Sequence, residues 1–101
     1  EVLSLTQGLA KLSLYQAQWM EQASALFKKK GRLQEGADAD IVIFDPDTVE
    51  ANAVYGDPYL QPTGIIHVIV GGRHIVQHSV RVEGMYPGKK LLARTAVMLE
   101  Q

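Results

Sequence analysis

A run of four apolar residues, Ile41–Phe44, places the strongest constraint on the fold of this 101-residue chain. Because the run is too short for a helix and rich in β-branched side chains, it predicts a buried β-strand. Asp45 and Pro46 follow directly, and the strand is expected to end there because proline cannot donate a hydrogen bond to a neighbouring strand. Before the strand, Gly31 and Gly36 permit backbone turns that other residues resist.

Three aspartates flank this strand, at Asp38, Asp40 and Asp45. Side chains alternate between the faces of a strand, and four apolar residues separate Asp40 from Asp45, so those two carboxylates cannot converge from one strand alone. We therefore interpret the aspartates as turn-forming and strand-ending residues, a common role for this side chain. The less favoured alternative is a metal or catalytic site.

A short helix is predicted near the start of the chain, over about residues 5–12. Ser4 and Gln7 have the spacing of a capping box, in which the serine side chain caps the helix and the glutamine reaches back. Leucines at positions 5, 9 and 12 follow at helical spacing. Gly8 weakens this helix by about 1 kcal/mol relative to alanine.

A second and longer helix is predicted from Ser13, whose spacing to Gln16 repeats the capping box, as far as Lys30. Its apolar stripe consists of Tyr15, Trp19, Ala23, Leu26 and Phe27. The lysines at positions 28–30 suit the negative end of the helix dipole, and Gly31 suits the position after the last helical residue. Phosphate binding by these lysines is the less favoured interpretation.

A β-hairpin is predicted in the second half of the chain. The strand-like runs Ile65–Val70 and Arg73–Gln77 are joined by two glycines, a strong signal for a tight turn with positive φ at both positions. A two-residue turn places Val70 opposite Arg73 and Val68 opposite Ile75. On the other face, this register gathers all three histidines of the chain.

The histidine face is the one constellation that could hold a metal without help from elsewhere. His67 is expected to lie diagonal to both His74 and His78, and zinc accepts imidazole ligands. However, the register forces no aspartate, glutamate or cysteine onto that face, and the spacing H-x6-H-x3-H matches no common zinc motif. Ile69 and Val76 between the histidines favour a half-buried face, so a small metal-binding domain is the less favoured hypothesis.

The remaining segments give weaker signals. Residues 46–64 are rich in proline and glycine and predict a long connection with at most one short strand, near residues 48–51. Residues 80–83 alternate between apolar and polar side chains, which predicts a further short strand. Residues 91–100 are compatible with a terminal helix.

Composition limits the class of function. The chain has 10 Lys and Arg against 11 Asp and Glu, so its net charge of −1 makes nucleic acid an unexpected partner. No apolar run approaches the roughly 20 residues that cross a bilayer, so no membrane partner is expected. The absence of cysteine fits a reducing compartment, and we expect a cytoplasmic protein. The chain begins Glu1-Val2-Leu3, without methionine or a basic signal region; a longer parent protein and removal of a tag or processing explain the missing methionine equally well.

Three segments carry a family resemblance. Residues 36–45 resemble a motif near the C-terminus of metal-dependent amidohydrolases. In this motif, G-x-x-A-D is followed by a short hydrophobic run and then by an aspartate. Residues 64–72 are similar to the G-I-x-x-V-x-V-N-G segment of the D-aminoacylase, or N-acyl-D-amino-acid deacylase, branch, with Gly71 where asparagine is common. Residues 87–91 resemble the P-G-[RK]-x-[LI] segment of the same family.

The resemblance implies an α+β fold. Residues 1–30 would be a helical segment from the end of a TIM barrel, and residues 31–101 would belong to an accessory β-sandwich. The catalytic barrel itself is absent from this chain and would be its N-terminal partner. The sequence therefore predicts scaffolding and interface roles for these residues.

The same resemblance implies a parent enzyme that hydrolyses amide-type C–N bonds with zinc or another divalent metal. The ligands of the family are histidines, an aspartate and often a carboxylated lysine on barrel strands, so we assign no catalytic, metal or substrate-binding residue here. The alternative hypothesis is a free-standing β-rich interaction module without catalysis. As a portion of a larger enzyme, the isolated chain is expected to form a homo-oligomer.

Overall fold

A computed structural model describes residues 2–92 of the chain. They form short helices followed by a four-stranded antiparallel sheet, which confirms the predicted α+β class. The described part divides into two compact units, one formed by residues 2–38 with 89–92 and the other by Ala39–Gly88. Within residues 2–92, none of the helices has the length and apolar character that a membrane span requires.

The first helix, α1, runs from Leu5 to Leu12 as predicted. The hydroxyl of Ser4 accepts the backbone N–H of Gln7 at 3.2 Å, and the Gln7 side-chain oxygen accepts the backbone N–H of Ser4 at 3.0 Å. Both bonds satisfy N–H groups that the first helical turn leaves without an internal partner. The predicted capping box at Ser4 is therefore confirmed.

The prediction of one long second helix is wrong. Helix α2 covers only Leu14–Met20, and a separate 3-10 helix follows at Ala25–Lys29. Between them Ser24 is extended, with φ −154° and ψ 128°, and its hydroxyl accepts the backbone N–H of Leu26 at 3.3 Å. Serine competes for backbone N–H groups in this way, which favours a new cap over a continuing helix. The second predicted capping box is also wrong, because the Ser13 side chain makes no cap hydrogen bond.

Arg32 holds the segment after α2 in place. Its guanidinium Nη2 donates to Oε1 of Glu21 at 2.8 Å and to the carbonyl of Phe27 at 3.3 Å, while Nε donates to the carbonyl of Lys30 at 2.9 Å. Gly31 has the positive φ of 72° that was expected at the end of a helix. One side chain therefore binds one carbonyl of the 3-10 helix and the carbonyl of Lys30, which follows it, and ties both to Glu21 at the end of α2.

The sheet contains four strands in the order β1-β2-β3-β4, each antiparallel to its neighbour. The strands are β1 (Ile41–Phe44), β2 (Ile65–Val70), β3 (Arg73–Gln77) and β4 (Val80–Arg81). Strands β1, β2 and β3 have the predicted bounds. Strand β4 is shorter than the predicted 80–83, and the short strand predicted near 48–51 is reduced to a single bridge between Glu50 and Thr63.

The turn between β2 and β3 is as predicted, but the register beyond it is not. Both glycines of the turn have positive φ, 57° and 80°, and Val70 pairs with Arg73. Two residues farther along β2, Val68 pairs with Val76 and not with Ile75, because the register shifts by one residue. Such an extra residue is a β-bulge, and periodicity alone does not reveal it.

Few side chains are buried within the described residues. Ala17, at 6 % exposure, is the one apolar side chain classed as buried, and no side chain falls below 2 %. Strand β1 was predicted to be buried, yet Val42 is 53 % exposed and Ile43 is also exposed. The prediction from the apolar run is therefore wrong for this chain taken alone, because no second layer within residues 39–88 covers the strand.

The terminal helix predicted at 91–100 falls almost entirely outside the described residues. Leu91 and Leu92 are not helical, and residues 93–101 are not described.

Candidate functional site

The three histidines come together on one face of the sheet, as predicted. The rings of His67 and His74 lie 5.5 Å apart between centroids, and those of His67 and His78 lie 4.8 Å apart, both edge to face. The backbone N–H of His78 also donates a long hydrogen bond, 3.4 Å, to Nδ1 of His67. His67 is therefore the centre of this cluster, which we call the histidine cluster.

Neither the histidine cluster nor the aspartates form a metal site in the described part of the chain. Among residues 2–92, no three His, Cys, Asp or Glu side chains converge in a way that could hold a metal ion. The rings of the histidine cluster instead contact each other edge to face, an arrangement suited to packing.

Each flanking aspartate has a structural contact. Asp38 forms an ion pair with Nζ of Lys30 at 2.9 Å, and Oδ1 of Asp40 accepts the backbone N–H of Gly71 at 2.9 Å. Oδ1 of Asp45 accepts the backbone N–H of Asp47 at 2.9 Å, a local bond typical of aspartate in turns. The contacts of Asp40 and Asp45 agree with the interpretation of these two residues as shaping turns and strand ends, whereas Asp38 takes part in an ion pair.

An apolar groove of about 590 Å³ lies within the unit formed by residues 39–88. Aliphatic side chains of strands β2 and β3 form one wall of it, namely Ile65, Val68, Val70, Ile75 and Val76. Val68 and Val70 alternate with His67 along β2, so these two side chains lie on the face opposite the histidine cluster.

The segment after β4 forms another wall of this groove through Met85, Tyr86 and Pro87. The guanidinium carbon of Arg81 lies 5.6 Å from the centre of the Tyr86 ring, a cation–π contact. Sequence reasoning missed this wall, because residues 84–88 have no periodicity that would assign them to a face. The alternation of Val68 and Val70 was the only available signal for the groove.

The described residues that line the groove mainly offer packing surface. Among them there is no carboxylate and no imidazole, and Arg81 is the one charged side chain. General acid–base catalysis needs a group that gains and loses a proton near the operating pH, and arginine does not. The geometry is therefore that of a sheet face able to receive another apolar surface.

Comparison with known proteins shows which larger proteins this chain resembles. A profile of the amidohydrolase family matches residues 1–76. The chain belongs to the amidohydrolase family. The N-acyl-D-glutamate deacylase of Alcaligenes xylosoxydans xylosoxydans is 40 % identical over 72 residues, which cover 71 % of this chain and 14 % of that enzyme. The D-aminoacylase of the same organism is 40 % identical over 67 residues, which cover 66 % of this chain and 13 % of that enzyme.

A solved structure supports the same assignment to the amidohydrolases. The crystal structure of a D-aminoacylase, described as defining a novel subset of amidohydrolases, matches 89 % of this chain with a TM-score of 0.74 and 28 % identity. The match covers only 18 % of that structure. These relatives confirm the resemblance to D-aminoacylases, and the chain corresponds to a small part of each of them.

Proposed function

We propose that this chain is the non-catalytic C-terminal portion of a metal-dependent amidohydrolase that cleaves amide-type C–N bonds. The observation that carries the proposal is the combination of an open apolar groove with almost no buried side chains, in a chain that aligns with 14 % of an N-acyl-D-glutamate deacylase. The names of the relatives favour N-acyl-D-amino acids as the substrates of the parent enzyme.

In this proposal the chain acts as a scaffold. Residues 1–30 would form the helical segment at the end of the barrel, and residues 31–101 would contribute to an accessory β-sandwich, with the groove face packed against the N-terminal barrel portion. Burial of Val68 or Val70 would stabilise the assembly by less than the roughly 1.5–3 kcal/mol of a fully exposed side chain, because both are already half-buried. The absence of cysteine is in keeping with a cytoplasmic location for the parent enzyme.

A divalent metal, commonly zinc in this family, would supply a hydroxide nucleophile and polarise the substrate carbonyl in the parent enzyme. The donor groups described in this chain do not fit such a metal, since none of them form a convergent group of three within residues 2–92. The ligands would therefore come from the barrel, and we assign no reaction step to the residues of this chain.

The first test is enzymatic. The purified chain, supplied with zinc and N-acyl-D-glutamate, is expected to show no hydrolysis above background. Hydrolysis that a chelator abolishes would contradict the proposal. The reading frame upstream of the codon for Glu1 provides a second test: a continuous frame that encodes a barrel strand with an H-x-H pair supports it, whereas a start codon directly before Glu1 favours a free-standing interaction module.

The second test places a charge in the groove of the full-length enzyme. Val68→Asp should lower the melting temperature, because the carboxylate would be buried between the sheet and the barrel portion without a partner. Leu33→Asp is the matched control, since Leu33 is 82 % exposed and lies outside the groove. Equal melting temperatures for the two variants would show that the groove stays open in the full-length enzyme.

A further inference from the structure

The connection between β1 and β2 forms an arm, which we define as residues 46–63. Backbone hydrogen bonds pair its two sides. Glu50 and Thr63 exchange two of these bonds, at 3.1 and 3.0 Å, and Val54 and Asp57 exchange two more nearer the tip, at 3.2 and 3.1 Å. Because the pairs lie at both levels of the arm, the backbone of this connection is held in a defined shape.

The tip of the arm presents aromatic side chains to solvent. Tyr55 is fully exposed and Tyr59 is 91 % exposed, and their neighbours Val54 and Leu60 are exposed as well. Tyrosine combines a large apolar ring with a hydroxyl group and is enriched at interfaces between proteins. Since backbone pairs already order the arm, docking of its tip would cost little conformational entropy.

The charges of the chain are segregated between its two units. The arm contains three Asp and Glu and no Lys or Arg, and the whole unit of residues 39–88 has six Asp and Glu against two Lys and Arg, a net charge of −4. The helical unit, described over residues 2–38 and 89–92, has seven Lys and Arg against three Asp and Glu, a net charge of +4. The acidic arm of one copy is therefore attracted to the helical unit of another.

The helical unit also offers a surface that could receive an aromatic side chain. A cleft of about 430 Å³ lies on α2 and is lined by Tyr15, Gln16, Trp19 and Met20. Lys28 and Lys29 are exposed on the 3-10 helix, which contacts α2. Among the described residues, neither of these lysines forms an ion pair. The helical unit thus combines an aromatic cleft with cations that are available to a second molecule.

We propose that the arm of one copy docks on the helical unit of a second copy, with Tyr55 in the cleft beside Trp19 and the carboxylates of the arm facing Lys28 and Lys29. The charges select a second copy as the occupant, because the surface complementary to the acidic arm is the basic unit of the same chain. A two-fold pair would use both arms and both helical units. Tyr55 does not line the groove, so this contact leaves the groove face available for the barrel portion.

Sedimentation equilibrium of the whole chain at two salt concentrations tests the contact. Raising the salt from about 0.1 M to about 1 M shortens the screening length from about 10 Å to about 3 Å, so the dissociation constant should rise roughly tenfold. At the lower salt, Asp57→Lys should weaken association roughly fivefold. Glu83→Lys is the matched control, because it makes the same charge change at an exposed position of the same unit outside the arm, and should have little effect. Tyr55→Ser should weaken association at both salt concentrations, since it removes apolar area and no charge.

A charge exchange between the two surfaces gives the decisive comparison. The arm variant Glu50→Lys/Asp57→Lys and the helical variant Lys28→Glu/Lys29→Glu should each associate weakly alone, because like charges would meet. An equimolar mixture should associate about as tightly as the wild type, since every acidic surface then finds a basic one. The proposal is refuted if the mixture associates no better than the separate variants, if association of the wild type is insensitive to salt, or if the wild type is monomeric throughout. The salt dependence of the wild type decides the matter by itself should a variant fail to fold.

Discussion

At the scale of single residues, Gly64 shows how a backbone contact can fix a residue type. Its φ is 80°, and a Cβ atom added there would lie 2.5 Å from Cα of Val49 and 2.7 Å from the carbonyl carbon of Thr48. The carbonyl of Gly64 also accepts the backbone N–H of Asp45 at 2.8 Å. Glycine is therefore required both by the conformation and by the space.

Gly64→Ala should destabilise the chain by more than Gly36→Ala. Gly36 has a similar φ of 86° but open space around its Cβ direction, so its substitution isolates the cost of the backbone conformation, about 1–2 kcal/mol. Overpacking adds about 1–3 kcal/mol at Gly64, since the neighbouring atoms are backbone and cannot move aside. Urea denaturation of both variants measures the difference, and equal free energies of unfolding would contradict the role given to Gly64.

Two serines provide a second matched comparison. Ser24 is 4 % exposed and its hydroxyl caps the 3-10 helix, whereas the hydroxyl of Ser13 makes no cap bond. Ser24→Ala should cost about 1 kcal/mol of stability, and Ser13→Ala should change it by a few tenths at most. Thermal denaturation followed by circular dichroism checks this order. A larger loss for Ser13→Ala would mean that the capping geometry described above is incorrect.

At the scale of elements, the contacts of Arg32 account for the path of the chain after α2. Arg32→Met keeps most of the aliphatic length but leaves two carbonyls and the Glu21 carboxylate without this donor, so we expect a loss of about 1–3 kcal/mol. Lys28→Met, at an exposed position of the same segment, is the control and should be nearly neutral. Chemical denaturation monitored by Trp19 fluorescence would reveal the difference.

The sequence predicted best those elements whose formation depends on residues close together in the chain. The capping box at Ser4 and the two glycines at positions 71 and 72 act over a few residues, and both were found as expected. The split of the second helix at Ser24 was missed because periodicity ignores the competition of a serine side chain for backbone N–H groups. The bulge beside Ile75 was missed because it depends on the pairing of two strands, which no single strand reveals.

At the scale of the whole molecule, the dominant feature of residues 2–92 is exposed apolar surface that no other described residue covers. The groove lies on one face of the sheet, and Trp19 on α2 is 77 % exposed. The candidate site was only partly predictable from the sequence. The histidine face followed from the alternation of side chains along the strands, whereas the groove depends on how the segment after β4 folds back. A sequence pattern indicates which residues are apolar, but not whether the chain itself supplies what covers them.

This surface leads to a prediction about association. The isolated chain should self-associate, with a two-fold dimer as the expected product, because large exposed apolar patches and open sheet edges seek partners. Sedimentation equilibrium over a hundredfold range of concentration should show an increasing average mass. Trp19→Ser should weaken the association if α2 forms part of the contact. A monomer at every concentration would favour an independent module over a portion of a larger enzyme.

The bulge between Val68 and Ile69 has a consequence for changes in chain length. In a regular strand, deletion of one residue moves every later side chain to the opposite face. Beside this bulge, β3 already carries one residue more than β2, so deletion of Ile75 would leave Ile69 paired with His74 and Val68 paired with Val76. A gap of one residue in related sequences is therefore physically admissible at this point of the strand.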